Sequence, residues 1–143
     1  MRLMNDSAPT PGMLAAHLAA HGVRPTAQRL LVAALLLDRP QHVTAEQVLA
    51  RLRQVGSRIS KATVYNTLNL FAACGVLRQL VIDGDRAWFD SNVGPHYHFQ
   101  DAETGELTDL PISQVHFESL PPVPKGMEYT GIDLVIRLRR RRG

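Results

Sequence analysis

Two histidines separated by one residue, His96 and His98, are the part of the sequence best suited to binding a metal ion. Their segment, HYHFQ, is predicted to be a β-strand, in which residues two apart project from the same face. Two imidazoles on one face can chelate a single ion. The spacing alone is a weak signal, so the interpretation depends on further polar ligands.

Three more candidate ligands fall in neighbouring segments. Asp109 lies on the strand predicted to pair with the histidine strand, Asp90 ends the preceding strand, and His42 precedes a predicted helix. Three imidazoles and two carboxylates without sulfur suit Fe²⁺ or Mn²⁺ better than structural zinc, which favours four ligands and often thiolates. For each residue the alternative is a surface or capping role, which we expect for the other three histidines.

Helix signals dominate the first half of the chain. The apolar spacing predicts a helix over 13–22, a second over 27–37 capped by Thr26, a third from Thr44 and a fourth from Ser60 to Gly75. The third begins with T-A-E-Q, the pattern of a capping box. Residues 1–12 contain two prolines and are predicted to be a loose tail.

The fourth helix has two contrasting faces. Val64, Leu68 and Phe71 share an apolar face, whereas a lysine, a tyrosine and two asparagines share another. Such a polar face suits base edges and phosphates. Two strand patterns then flank Asp83-Gly84, a strong hairpin signal. Helices followed by a hairpin predict an α+β fold whose N-terminal part is a winged helix-turn-helix.

The second half predicts a small α/β unit. It contains a hairpin over 96–111, a short helix over 113–120, a connector PPVPKG and a strand over 131–139. The strand alternates Ile132, Leu134, Ile136 and Leu138 on one face. In so short a chain, we expect a second subunit to cover that face.

Length and charge set the domain organisation. The chain has 143 residues, enough for one domain or two small ones, and we predict a winged-helix domain over 1–90, a hinge over 91–95 and a dimerisation and metal-sensing domain over 96–143. Residues 1–92 hold ten Lys or Arg against six acids, residues 93–136 hold one against seven, and five arginines follow. A basic first module could face phosphates, although charge blocks are often only solvated faces.

Two broad classes are excluded by composition. No apolar run approaches the length of a membrane span, and no signal-peptide core is present, so we expect a cytoplasmic protein with no membrane partner. The single cysteine, Cys74, excludes an intramolecular disulfide and a zinc site built on several thiolates of one chain.

The runs GVRPTAQRLLV (22–32), QHVTAEQV (41–48), SKATVYNTL (60–68) and the H-Y-H strand resemble the ferric uptake regulator family of metal-dependent transcriptional regulators. The resemblance covers roughly residues 13–139. The FDSNV segment and the closing IDLVIRLRRR make the chain most similar to the iron-response (Irr) and peroxide-sensing (PerR-type) members.

The resemblance implies a homodimer that reads an A·T-rich palindrome in double-stranded DNA with its N-terminal winged helices. It places the regulatory metal ligands on His42, Asp90, His96, His98 and Asp109. It places the recognition helix around Tyr65 and Asn66 and a DNA-contacting basic residue on Arg24. With the residues at the start of that helix included, the predicted DNA contacts are Arg24, Lys61, Thr63, Tyr65 and Asn66.

The chain departs from the family pattern where most members bind a structural zinc. The first of two C-x-x-C pairs would fall on Asp101 and Thr104, and the second is missing. The resemblance therefore implies Fe²⁺ or Mn²⁺ at one regulatory site per subunit and no cysteine zinc site. The resemblance leaves two signals open for this chain. One is peroxide, which would oxidise His42 or His98, and the other is haem, as in the iron-response members.

Two other functions remain open from the sequence. A small metalloenzyme is disfavoured, because five protein ligands leave little room for substrate and no spare base or nucleophile lies beside them. A metal-independent DNA-binding protein is the second alternative. We therefore predict a transcriptional regulator, most simply a repressor of iron or oxidative-stress genes, and not an enzyme.

Overall fold

Four helices and three strands make up the first ninety-three residues of the computed structural model, which describes residues 8–83 and 86–143. These described elements are Pro11–Ala20 (α1), Ala27–Leu36 (α2), His42–Thr44 (β1), Ala45–Gln54 (α3), Lys61–Ala73 (α4), Arg78–Asp83 (β2) and Arg86–Asp90 (β3). They belong to one compact unit that ends at Val93, and residues from Gly94 onward form a second. The predicted hinge role of residues 91–95 stays a prediction.

Side-chain caps start three helices at the predicted residues. The Thr26 hydroxyl accepts a hydrogen bond from the Arg29 N–H at 3.3 Å, and Ser60 accepts one from the Thr63 N–H at 3.1 Å. At α3 the capping box is complete, since Thr44 accepts from the Gln47 N–H at 3.3 Å and the Gln47 side chain accepts from the Thr44 N–H at 3.0 Å. Each cap satisfies an N–H that the helix itself leaves without a partner.

The prediction placed the start of α1 two residues too late. The helix begins at Pro11 with Thr10 as its cap, rather than at Met13. Proline is favoured in the first helical turn because its fixed φ matches the helix and its missing N–H has no acceptor there. The remainder of the predicted tail, residues 1–7, lies outside the described residues.

The core of the first unit gathers the apolar faces of all four helices. Val64, Leu68 and Phe71 of α4 are fully buried, as the periodicity predicted. They pack with Leu18 of α1 and Leu52 of α3 in the same cluster. This burial fixes the rotation of α4 about its axis, so Lys61, Asn66 and Asn69 face outward.

The three strands form an antiparallel sheet in the order β1-β3-β2. The strands β2 and β3 confirm the predicted hairpin. Its predicted turn, Asp83-Gly84, includes Gly84, which lies outside the described residues. Strand β1 was not predicted, because three residues are too few to show an alternating pattern. It pairs His42 with Asp90 and Thr44 with Trp88.

The second unit contains the strands Tyr97–Asp101 (β4), Leu107–Leu110 (β5) and Val135–Leu138 (β6). They form a sheet in the order β5-β4-β6, with β6 parallel to β4. The predicted hairpin is confirmed, and His98 lies opposite Asp109 in its register. The connecting turn is closed by the Asp101 carboxylate, which accepts the Glu103 and Thr104 N–H groups at 2.8 and 3.1 Å.

The helix predicted over 113–120 is wrong. The chain forms only a 3-10 turn at Ile112–Gln114, and the following residues are almost entirely exposed. Short helices need a buried face to be stable, and Leu120 precedes a proline, which disfavours the helical conformation. The last strand is also shorter than predicted, because pairing with β4 extends only over Val135–Leu138.

The longest helix, α4, has 13 residues, and within residues 8–83 and 86–143 no helix combines the length and the apolar character that crossing a bilayer requires.

The capping box at α3 predicts a measurable contribution to stability. Thr44→Ala removes the hydroxyl acceptor and is expected to lower the free energy of unfolding by about 1 kcal/mol. Thr44→Ser keeps the acceptor and should lose clearly less, as measured by urea denaturation. Equal losses in the two variants would assign the effect to the threonine methyl group instead.

Candidate metal centre and nucleic-acid interface

A buried imidazole–carboxylate pair joins β1 to β3 in the first unit. His42 Nε2 lies 3.2 Å from Asp90 Oδ2, and the side chains are 9% and 0% exposed. The other oxygen of Asp90 accepts the Asn92 N–H at 2.9 Å. A carboxylate with no exposed surface requires such partners, because burial disfavours an isolated charge by many kcal/mol.

A second group of ligand atoms lies at the β4–β5 hairpin. His96, His98 and Asp109 each offer one ligand atom, and these atoms lie within 4.8 Å of one another. His96 Nε2 is 3.4 Å from Asp109 Oδ1, and the two imidazole centroids are 4.6 Å apart. His96 and His98 are buried, whereas the Asp109 side chain is 34% exposed. The hairpin thus gathers two nitrogens and one oxygen at the edge of solvent.

The local fold explains why these three side chains converge. His98 and Asp109 are paired across the antiparallel ladder, so their side chains lie on the same face. His96 precedes β4 by one residue and keeps the two-residue spacing. Its Nδ1 lies 2.6 Å from the Gly94 carbonyl oxygen, a contact that orients the ring and leaves Nε2 directed at Asp109.

Imidazole and carboxylate donors without sulfur fit Fe²⁺ or Mn²⁺. The structure brings together His42 with Asp90 in the first unit, and His96 with His98 and Asp109 in the second. Each unit therefore assembles its own share of the predicted ligands. One site made from all five residues stays a prediction.

The predicted DNA contacts lie on the polar side of α4 and on the loop before α2. Arg24, Lys61 and Asn66 are exposed, and Thr63 and Tyr65 are half-buried. The Lys61 ammonium stands 5.8 Å from the centre of the Tyr65 ring. Residues of α4 thus offer a cation, hydroxyls, an amide and an aromatic ring, a combination that suits phosphates and base edges.

One residue beside Tyr65, Glu46, was missed by the sequence analysis. The Tyr65 hydroxyl donates a hydrogen bond to the carboxylate of Glu46, in the first turn of α3. Glu46 and Arg86 line a cleft of about 520 Å³ together with Tyr65 and Asn69. The only sequence signal was the capping box, in which Glu46 reads as an ordinary helix-start residue.

The hydrogen bond changes the acidity of both partners. Donation from Tyr65 is the largest cause that lowers the pKa of Glu46, followed by a backbone N–H and the charges of Lys61 and Arg86. The same bond raises the pKa of the Tyr65 phenol. Glu46 is therefore a carboxylate, and Tyr65 is a neutral donor, throughout the physiological range.

The sequence matches the ferric uptake regulator family over residues 20–134. Over 101 residues it is 32% identical to the peroxide-responsive repressor PerR of Staphylococcus aureus (strain USA300). The aligned residues make up 71% of this chain and 68% of that protein. The fold is similar to the ferric uptake regulator of Pseudomonas aeruginosa solved with manganese, with a TM-score of 0.68, 25% identity, and coverage of 90% of this chain and 98% of that one. The Vibrio cholerae ferric uptake regulator has the same TM-score of 0.68 at 22% identity, with coverage of 88% and 98%.

The burial of Asp90 predicts a structural role that is independent of any ion. In protein treated with a chelator, Asp90→Ala should lower the free energy of unfolding by about 1–3 kcal/mol, because His42 and the Asn92 N–H lose a buried partner. Asp109→Ala, at a partly exposed carboxylate, is the matched control and should lose less than about 1 kcal/mol. Urea denaturation measures both, and equal losses would contradict the assignment.

Proposed function

Because this chain belongs to the ferric uptake regulator family, whose members are dimeric, metal-responsive transcriptional regulators, we propose that it is a metal-dependent repressor of iron or oxidative-stress genes. The observation that carries the proposal is the pair of ligand groups on either side of the boundary between the units. His42 and Asp90 lie before that boundary, and His96, His98 and Asp109 lie after it. We also propose that the protein is cytoplasmic, has no membrane partner and is not an enzyme.

We propose that the five residues share one Fe²⁺ or Mn²⁺ ion per subunit. Asp90 and His96 are six residues apart in the chain, so the backbone limits their separation to roughly 20 Å. A divalent ion bound by these residues would supply the positive charge that balances their carboxylates. The ligands suit these two metals, and the related Pseudomonas aeruginosa regulator was solved with manganese.

Shared ligation would couple the two units through the segment 91–95. Side chains from both units that bind one ion can no longer move independently, so the proposed hinge loses its freedom. A dimer that reads two half-sites needs a fixed separation of its recognition helices. Converting a mostly open population into a mostly closed one requires a preference of roughly 5 kcal/mol, which several ligands can supply.

The proposed homodimer would form through the second unit. Within the described chain, the exposed large apolar residues of that unit are numerous, and they are Ile112, Phe117, Leu120, Val123, Met127, Tyr129, Ile136 and Leu138. Apolar exposure on this scale marks an interaction surface. A twofold dimer in turn implies a palindromic site, which we propose is A·T-rich.

On this duplex the polar side of α4 would enter the major groove. Tyr65 would contact a thymine methyl and Asn66 a base edge, while Thr63, Lys61 and Arg24 would contact phosphates or the adjacent backbone. Phosphate contacts make affinity fall steeply as salt rises.

No cysteine zinc site is proposed, because the chain has one cysteine. The turn that would carry the first thiolate pair is instead closed by the Asp101 carboxylate. Packing would then stabilise the dimer without zinc.

A metal-loaded and a chelated sample should differ in DNA binding. We expect the Kd for an A·T-rich palindrome, measured by fluorescence anisotropy with Mn²⁺, to rise on the order of 100-fold in chelator.

His98→Ala should bind weakly in both conditions and lose the bound metal. Tyr65→Ala should lose specific binding but keep both the metal and the dimer. Equal binding by the wild-type protein with and without chelator would leave a metal-independent DNA-binding protein.

Peroxide sensing predicts a covalent change on a ligand. In iron-loaded protein, one oxygen atom of hydrogen peroxide is inserted into a ring C–H bond of His42 or His98, and the other leaves as water. Mass spectrometry should find one added oxygen atom on those histidines and none in chelated controls. An unmodified protein that loses DNA binding on addition of haem would overturn the peroxide assignment in favour of a haem-responsive regulator.

A further inference from the structure

Glu46 is an acid on the surface proposed to meet a polyanion. It is exposed in the first turn of α3, and its carboxylate accepts the hydroxyl of Tyr65 from α4. Residues 61–73, which form α4, contain no acid. The negative charge that the described structure places against Tyr65, the residue proposed to contact a base, therefore comes from the neighbouring helix α3.

The surroundings of Glu46 keep it ionised. Lys61 lies over the Tyr65 ring, at 5.8 Å from its centre, and Arg86 lines the same cleft as Glu46. These two cations lower the pKa of Glu46 in addition to the hydrogen bond from Tyr65. The group thus carries a full negative charge between cations that would otherwise attract phosphates of any sequence.

A carboxylate in this place has two opposite effects on DNA binding. Its charge opposes every phosphate backbone to the same extent, since phosphate attraction is independent of sequence. Its hydrogen bond restrains the half-buried Tyr65 side chain before DNA arrives, which reduces the ordering that binding must impose. The first effect weakens all complexes, whereas the second strengthens only those in which Tyr65 makes its base contact.

We propose that Glu46 is a specificity-determining residue, which positions Tyr65 through its hydroxyl and suppresses binding to non-operator DNA through its charge. The inference rests on the proposed DNA-binding function and deepens it. It is an instance of specificity obtained by opposing the wrong partner as well as by favouring the right one.

Glu46→Gln separates the two effects, because the amide oxygen can still accept the Tyr65 hydroxyl while the charge is lost. The Kd of this variant for a scrambled duplex should fall by about 3- to 10-fold at low salt. The slope of the logarithm of the binding constant against the logarithm of the salt concentration should steepen by about one, because about one more counterion is released. Operator affinity should change less, so the ratio of operator to scrambled affinity falls. Glu118→Gln, at an exposed acid of the second unit, makes the same charge change and should leave the ratio within about twofold.

Two further variants test the positioning role. Tyr65→Phe keeps the ring but loses the hydrogen bond, and it should weaken operator binding by about 3- to 10-fold while leaving scrambled DNA unaffected. Ultraviolet titration of the tyrosines, with Tyr65→Phe as the reference that identifies Tyr65, should show a lower Tyr65 pKa in Glu46→Ala than in the wild-type protein. This measurement needs no DNA.

The outcomes separate this inference from the proposed function. Specific binding by the wild-type protein with an unchanged ratio in Glu46→Gln, or an unchanged Tyr65 titration in Glu46→Ala, overturns the role of Glu46 and leaves the regulator intact. Failure of the wild-type protein to prefer any A·T-rich palindrome overturns both.

Discussion

A carboxylate that is removed from water must be matched by nearby donors or cations, and among the described residues Asp90 is the acid with no exposed surface. Its side chain is fully buried at the end of β3, where one oxygen faces His42 and the other accepts the Asn92 N–H. The first contact holds β1 to the sheet, and the second fixes the backbone as it leaves the sheet. The same residue therefore ends β3 and holds the backbone that follows it, before the first unit ends at Val93.

The two ligand groups follow the same design with different strands. Antiparallel pairing places His42 opposite Asp90 in one sheet and His98 opposite Asp109 in the other. In each case a nitrogen and an oxygen donor come from adjacent strands, so the backbone hydrogen bonds of the ladder set their separation. A ligand group built on paired strands holds its geometry better than one built on loops.

The starts of α2, α3 and α4 were predictable because they are set by local chemistry. Thr26, Thr44 and Ser60 each accept an N–H three residues on, and that pattern is legible in the sequence. Strand β1 was not predictable, since His42–Thr44 becomes a strand only through β3. The helix predicted over 113–120 failed for the related reason that, among the residues the structure describes, its apolar side chains stay largely exposed.

The candidate ligands were identified from residue type and spacing, but their pairing depended on register. The bond between Tyr65 and Glu46 lay beyond sequence reasoning, because these residues are nineteen positions apart on two helices whose packing is set by the buried core. Local patterns name the residues that could act. Only the packing of α3 against α4 determines which of them meet.

The Asp101 turn has a consequence for the environments in which the second unit can keep its shape. Main-chain amides of Glu103 and Thr104 converge on a single carboxylate, where thiolates would have required a metal. Oxidants that attack sulfur find no target in this turn, because residues 101–105 contain no cysteine. A hairpin closed in this way can hold its histidines in place while the thiol chemistry of its surroundings varies.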